Sequence, residues 1–213
     1  MGEFISLLPA ANTSKVQFAG VNIAGFDFGC SIEGFCNLTN TFDIAGKGNG
    51  QQQMDHFIQT SGLNTFRLPF GWQFLVNNKV GATLDAKNLA TYDALVQGCL
   101  KTKAILCVLD LHNYARFDGK IVGQGGPPNS ALVSIWQQLA TKYAKEERIA
   151  FGIMNEPHDI PSIETWAATV QEVVTGIRNA GAKTQFILMP GNNFTSAGAF
   201  VENGSGGTFK LLA

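Results

Sequence analysis

The sequence has little charge and no bias in its sign. Only 15% of the 213 residues are charged, and 15 basic against 16 acidic side chains leave a formal net charge of −1. Proteins that bind nucleic acid usually present a basic face, and no run of Lys or Arg supplies one. No apolar stretch is long enough to cross a bilayer. These absences argue against a nucleic-acid-binding protein and a membrane protein, and the length fits one domain with its own core.

Several motifs that carry chemistry are also missing. His56, His112 and His158 show no H-E-x-x-H or comparable spacing, so we expect no metal site. No Gly-x-Ser-x-Gly turn follows a strand, which argues against a serine nucleophile. The glycines between residues 46 and 50 and between 123 and 126 have the wrong spacing for a dinucleotide-binding loop and are expected in turns. We therefore expect no cofactor.

The four cysteines form two close pairs, Cys30 with Cys36 and Cys99 with Cys107. Neither pair has the C-x-x-C spacing of a zinc site or a redox-active site. Two short-loop disulfides in an oxidising compartment are the favoured interpretation, and a cytosolic protein with free buried thiols is the alternative.

Four N-glycosylation sequons give further support for a secreted protein, although such triplets also arise by chance. They begin at Asn12, Asn37, Asn193 and Asn203. The first four residues resemble a cloning remnant and contain no secretory signal. We therefore assign residues 1–15 to an N-terminal extension and residues 16–213 to the folded domain.

Short apolar runs alternate with amphipathic stretches along the chain. We predict strands over 16–23, 64–68, 104–111, 149–154 and 185–189, the second one ended by Pro69. We predict helices over 51–59, 85–101, 129–144 and 163–180, with Asn129 as an N-cap and Gly181 as a stop. This alternation predicts parallel βα units, as in a doubly wound sheet or a (β/α)₈ barrel.

A carboxylate follows the fourth predicted strand in the segment GIMNEPHD. Glu156 stands between Asn155 and Pro157, at the carboxyl end of a buried strand. Active sites of parallel barrels form at that end of the strands. A partly desolvated glutamate there can have a raised pKa and act as a general acid, while Asn155 can bind a substrate hydroxyl. A solvated loop acid beside a proline is the alternative interpretation.

Polar residues fall at the ends of other predicted strands. Arg67 lies near the end of the second strand, where an arginine among apolar residues needs a partner, usually a carboxylate. His112, Asn113 and Tyr114 follow the third strand, and the segment 191–193 follows the fifth. Each could be structural alone, but together they predict a site at one rim.

Aromatic residues accompany this rim, and sugar rings stack on aromatic faces. The candidates are Phe26, Phe28, Trp72, Tyr114 and Phe117, with a core role as the alternative for the first two. A second group lies within helical patterns and is expected to pack helices onto the sheet: Trp136, Tyr143 and Trp166.

Five segments together resemble glycoside hydrolase family 5, and within it the fungal secreted endo-β-1,4-glucanases. They are FAGVNIAGFDFGC (18–30), FRLPFGWQFLVNN (66–78), HNYARFDGKIVGQGGP (112–127), FGIMNEPHD (151–159) and TWAATVQEVVTGIRNAGA (165–182). The resemblance covers most of the chain. It implies a secreted (β/α)₈-barrel enzyme without a cofactor that hydrolyses internal β-1,4 bonds of cellulose with retention.

The resemblance also implies roles for individual residues. Glu156 would be the acid/base, and both cysteine pairs would be disulfides, although the span from Cys99 to Cys107 is one residue longer than in relatives. The expected substrate-binding residues are Arg67, His112, Asn113, Tyr114, Asn155, Trp72 and Phe117. Phe117 replaces a tryptophan of close relatives, so stacking there would be weaker.

The relatives continue beyond the fifth strand, with His and Tyr on the sixth, the nucleophilic Glu on the seventh and a cleft Trp on the eighth. We therefore expect this chain to hold about the first five βα units of the barrel and to be incomplete at its C-terminus. Glu164, Glu172 and Glu202 lie in no matching motif, so no nucleophile is assigned.

Three alternatives stay open for the function. The first is a β-glucan-binding half-barrel without catalysis, which the missing nucleophile favours. The second is preference for β-mannan or mixed-linkage glucan. The third is pairing of two half-barrels through their open edges. The oligomeric state is not predicted.

Overall fold

The computed structural model describes residues 16–210, so the predicted extension over 1–15 and the Asn12 sequon lie outside the described residues. Its strands are β1 (Gly20–Asn22), β2 (Thr65–Phe70), β3 (Leu106–Leu111), β4 (Arg116–Phe117), β5 (Lys120–Ile121), β6 (Ile149–Gly152) and β7 (Phe186–Leu188). Its helices are α1 (Gly50–Ser61), α2 (Trp72–Val76), α3 (Ala86–Lys101), α4 (Asn129–Tyr143), α5 (Ile163–Asn179) and α6 (Ser205–Phe209). The five predicted strands and four predicted helices are all present.

The main sheet is parallel and follows chain order, β1-β2-β3-β6-β7, while β4 and β5 form a small antiparallel hairpin. The main sheet is strongly curved. Its edge strands would lie about 19 Å apart in a flat sheet with ordinary strand spacing. Phe18, just before β1, and Phe186 on β7 nevertheless meet edge to face with ring centroids 5.8 Å apart. A curved parallel sheet with sequential order is an arc of a (β/α)₈ barrel, which confirms the predicted fold class.

The convex face of the sheet carries the main core, against the helices. Alternate residues of the strands, such as Leu68, Leu109 and Phe151, are fully buried there. Trp136 and Trp166 are buried in the same layer, and their indole N–H groups donate to the carbonyls of Ile153 and Pro190. The predicted packing role of these helical tryptophans is confirmed.

Local sequence explains where the long helices begin and end. The carboxylate of Asp85 accepts from the N–H groups of Lys87 and Asn88 and caps α3, and Ser162 caps α5 by accepting from the N–H of Thr165. Gly181 follows α5 with a φ of 103°, which glycine adopts without steric cost.

Two local predictions are wrong. Pro69 does not end β2, which continues to Phe70. The backbone N–H and C=O groups of successive strand residues point to opposite neighbouring strands. The carbonyl of Phe70 accepts a hydrogen bond on the β3 side, so the backbone of Pro69 points to the β1 side. Strand β1 has already ended at that level, so no N–H is needed at residue 69. Asn129 is the first residue of α4 and not its cap; Pro128 holds the cap position and Asn129 bonds side chains of α5 instead.

The cysteine pairs form disulfides in the structure. The Cys30–Cys36 bond closes a short loop after β1, and the Cys99–Cys107 bond joins α3 to β3. Within residues 16–210, no helix is both long enough and apolar enough to cross a bilayer.

Candidate active site

A cleft of about 310 Å³ opens at the carboxyl ends of the central strands. Among the residues that line it are Arg67 from β2, Asp110 from β3, and Asn155 and Glu156 from the segment after β6. The parallel sheet brings these positions together, although up to 89 residues separate them along the chain. In the described part of the chain, no group of three or more His, Cys, Asp or Glu side chains is arranged to hold a metal ion.

The base of the cleft is an ion-pair network centred on Asp110. Its carboxylate is 2.8 Å from the guanidinium of Arg67 and 2.9 Å from Nδ1 of His112, and the residue is only 3% exposed. Strand register places them together, because Pro69 pairs with Asp110 and Arg67 is two residues earlier on the same face. Gly152 pairs with Asp110 on the other side, where a Cβ would lie 3.3 Å from the carboxylate.

Asp110 is therefore the carboxylate partner that Arg67 required. Sequence reasoning predicted such a partner but did not identify it, because Asp110 stands inside an almost continuous apolar run. That position was itself the available signal, since a charge in a buried strand needs an opposite charge beside it.

Asn155 is held by the same network. The guanidinium of Arg67 donates to Oδ1 of Asn155 at 2.5 Å, which fixes the orientation of the amide. The amide nitrogen of Asn155 is buried and has no hydrogen-bond partner among the described residues. An unpaired buried donor costs about 1–3 kcal/mol, and functional sites are where such donors are retained.

Glu156 lies where the backbone leaves the sheet. The N–H of Asn155 still donates to the carbonyl of Leu111 at 2.7 Å, but Glu156 has a φ of 41°. A left-handed conformation is strained for a residue other than glycine and is common at active sites. The side chain of Glu156 is exposed, so the partial desolvation expected from the sequence is not found among the described residues.

Tyr114 borders Glu156 from the loop after β3. Burial raises the pKa of Tyr114, and the negative charge of Glu156 raises it further. Its ring contacts that of His112 edge to face, with centroids 5.5 Å apart. The hydroxyl of Tyr114 is therefore protonated and neutral at ordinary pH, and it is close enough to the Glu156 carboxylate for the two groups to interact electrostatically.

Three predicted substrate contacts are structural instead. The side chains of Trp72 and Asn113 are completely buried, and Phe117 is 6% exposed. Asn113 accepts from the N–H of Trp72 at 2.6 Å and donates to Gln73 at 2.7 Å, and the rings of Trp72 and Phe117 pack edge to face. These side chains support the rim from below, and none of them presents a surface to a sugar.

The two early phenylalanines have different environments. Phe26 is buried in the core, stacked on Phe74, as the core alternative predicted. Phe28 is 47% exposed, which excludes the core role for this residue.

His158 was not identified as a site residue from the sequence, yet it joins the rim loops. Its Nδ1 is 2.7 Å from the carboxylate of Asp159, and its Nε2 is 3.1 Å from the carbonyl of Ile32 in the disulfide loop. Its ring is stacked on Phe194, with centroids 4.8 Å apart. The hydrogen bond from His158 lowers the pKa of Asp159. This buried side chain thus connects the Glu156 segment to two neighbouring loops.

Comparison with known proteins identifies similar sequences. The family model for cellulase (glycosyl hydrolase family 5) matches residues 11–207. Endoglucanase EG-II of Hypocrea jecorina is 56% identical over 200 residues, which cover 91% of this chain and 47% of that protein. Endoglucanase 1 of Saitozyma flava is 45% identical over 211 residues, covering 93% of this chain and 59% of that protein. The chain therefore spans about half the length of these curated relatives.

Solved structures have the same fold. The crystal structure of Cel5A (EG2) from Hypocrea jecorina matches with a TM-score of 0.89 at 54% identity, over 93% of this chain and 62% of that one. XacCel5A in complex with cellopentaose matches with a TM-score of 0.76 at 28% identity, over 92% of this chain and 61% of that one.

Proposed function

The chain belongs to glycosyl hydrolase family 5, and from this premise we propose that its cleft takes part in cleaving internal β-1,4 bonds of cellulose with retention, with Glu156 as the acid/base. The observation that carries the proposal is the position of Glu156. It follows a parallel barrel strand and lines a cleft with Arg67 and Asn155, at the strand end where barrel active sites form.

The exposed carboxyl of Glu156 is free to approach the oxygen of a glycosidic bond. As an acid it would protonate the leaving oxygen, and as a base it would later take a proton from water. Asn155 still bonds to β3, and the strained backbone begins at the next residue, Glu156. This change in backbone direction separates the Glu156 carboxyl from the ion-pair network around Asp110.

Retention also requires a second carboxyl, about 5–5.5 Å from the first in retaining glycosidases. Asp110 is the other carboxylate among the described residues that line the cleft. Its burial and its bonds to Arg67 and His112 make it a poor nucleophile, because attack would break two charge-assisted hydrogen bonds. We therefore assign no nucleophile within residues 16–210.

The polar residues in and beside the cleft are suited to a sugar. The unpaired amide nitrogen of Asn155 would donate to a hydroxyl of the glucose unit at the cleaved bond. Asp110 binds Nδ1 of His112, which leaves Nε2 of that ring for a second sugar hydroxyl. The hydroxyl of Tyr114 lies close enough to Glu156 to interact with its charge. Arg67 acts through its hold on Asn155 and Asp110. The family and the printed names of its relatives favour cellulose over β-mannan or mixed-linkage glucan.

Release of reducing ends from a soluble cellulose derivative tests this proposal. The parent, Glu156→Gln and Glu164→Gln would be compared, since Glu164 is an exposed carboxylate on α5 whose one side-chain partner among the described residues is Ser162. In a protein that also supplies the second carboxyl, such as this chain extended by the sixth to eighth strands of a relative, we expect release by the parent and Glu164→Gln, and a loss of about 10²–10⁴-fold in Glu156→Gln. Equal rates of reducing-end release in all three proteins would show that Glu156 takes no part in the reaction.

A second candidate function is β-glucan binding without hydrolysis. It is favoured by the single unengaged carboxylate among the described cleft residues. Retarded migration in a gel containing β-glucan, with no reducing ends released by the parent, would support it. Free migration together with no release would refute both candidates. We also propose secretion, which the two disulfides and the fungal endoglucanase relatives support.

A further inference from the structure

Three N-glycosylation sequons lie within the described residues, and those at Asn193 and Asn203 differ in whether the asparagine side chain is available. Asn203 is not available. Its Nδ2, the atom that would carry a sugar, donates to the carbonyl of Asn192 at 3.1 Å, and its Oδ1 accepts from the N–H of Ser205 at 3.0 Å. The sequon hydroxyl of Ser205 is fully buried and accepts from the N–H of Asn192. A glycan on Asn203 would displace these bonds.

Asn193 has the opposite environment. Its side chain is exposed and makes no hydrogen bond to other described residues. It begins a tight turn, Asn193–Thr195, in which all three residues have positive φ values of 50°, 58° and 56°. Thr195 donates through its hydroxyl to the carbonyl of Gly191, which holds the turn in place.

This turn is part of the cleft rim. The N–H of Phe194 donates to the carbonyl of Pro157, the residue after Glu156, at 2.9 Å. The ring of Phe194 stacks on His158, and Thr195 lines the same cleft as Glu156. A group attached to Asn193 would therefore begin two residues from the lining of the cleft.

We propose that Asn193 carries an N-linked glycan at the rim of the Glu156 cleft and that Asn203 carries none. The proposal rests on the proposed secretion, which would expose the chain to a lipid diphosphate-linked oligosaccharide. In the transfer, the amide nitrogen of Asn193 bonds to the anomeric carbon of the sugar, the bond from that carbon to the diphosphate oxygen breaks, and the amide proton is lost. The glycan is bulky and hydrated. It narrows the entrance for a polymer on the side of β7.

Site-resolved mass spectrometry of the protein secreted from a fungal host tests the site. Enzymatic removal of the glycan in H₂¹⁸O converts a modified asparagine into ¹⁸O-labelled aspartate. We expect the label at Asn193 and unmodified amide at Asn203. Thr195→Ser should keep the label, because serine also completes a sequon, and Thr195→Ala and Asn193→Gln should remove it. Bare Asn193 in the secreted parent, or a label at Asn203, would overturn the proposal.

The position at the rim is tested by activity. Asn193→Gln should increase kcat/KM on polymeric cellulose derivatives and leave it unchanged on a short aryl cellobioside, with Asn203→Gln as the matched control. An equal effect on both substrates would refute the narrowing of the entrance. The activity comparison uses chains that also supply the second carboxyl. Absence of activity in all of them would refute the proposed hydrolase function, whereas the mass-spectrometric label at Asn193 would still decide whether that residue is glycosylated.

Discussion

Replacing Asp110 by Asn should destabilise the protein more than breaking any exposed ion pair. The substitution keeps the shape of the side chain and one acceptor oxygen but removes the charge that faces Arg67 and His112. Asp110 is 3% exposed, so water cannot replace the lost interaction at the carboxylate.

The expected cost follows from the two bonds and from the exposure of the partner. Hydrogen bonds to charged groups contribute about 1.5–3 kcal/mol each, and removing one partner of a fully buried pair costs about 3–5 kcal/mol. The side chain of Arg67 is 29% exposed and can regain some hydration, which lowers the cost. We expect a loss of about 2–4 kcal/mol in the free energy of unfolding.

Urea denaturation followed by tryptophan fluorescence would measure this loss, since Trp72, Trp136 and Trp166 are all buried. The matched control is Lys142→Gln. It breaks the ion pair with Asp93, which has a similar length of 3.0 Å. Both side chains of that pair are more exposed than those of the Arg67–Asp110 pair, so the free energy of unfolding should fall by at most about 1 kcal/mol. A loss in Asp110→Asn no larger than that in the control, with equal denaturant slopes, would refute the argument from burial.

Three further predictions concern packing, pH and cross-linking. Trp72→Phe should lower stability by about 1–3 kcal/mol and leave the affinity for β-glucan unchanged, because the indole is buried; weaker binding at unchanged stability would contradict this. Burial raises the pKa of Asp93, but hydrogen bonds from Tyr143 and two other neighbours outweigh it and lower the pKa from 3.8. The stability of the parent relative to Asp93→Asn should thus be greatest above about pH 4 and decline as the pH falls through the lowered pKa; a constant difference from pH 2 to 7 would exclude that linkage. Replacing Cys99 and Cys107 by Ala should cost about 2–3 kcal/mol, the loop-closure value for this short span, and calorimetry showing no change would indicate that the bond constrains little.

Apolar strands of this sheet differ in how well their inner face is covered. All six residues of β3 are buried, and its inner-face residues Leu106 and Val108 form a small cluster with Ala150. On β7, Phe186 and Leu188 are more than half exposed. Periodicity identifies such strands correctly, but it does not say which face is covered.

Much of the fold was predictable from sequence because the signals are local. The alternation of apolar runs with helical patterns predicted the βα units, and caps such as Asp85 and Ser162 begin helices by bonding within their own turn. The position of Glu156 after a strand, the two cysteine pairs and the five family segments also followed from sequence alone.

Other properties depended on contacts between distant segments. Asp110 as the partner of Arg67, the burial of Trp72, Asn113 and Phe117, and the exposure of Glu156 were decided by strand register and by the packing of loops over one another. The sequence by itself determined the family, the order of the elements and which residue types meet at the rim, since each is written in local pattern. Only the tertiary structure decided which of those side chains face the cleft, because burial and charge pairing are properties of segments brought together by folding.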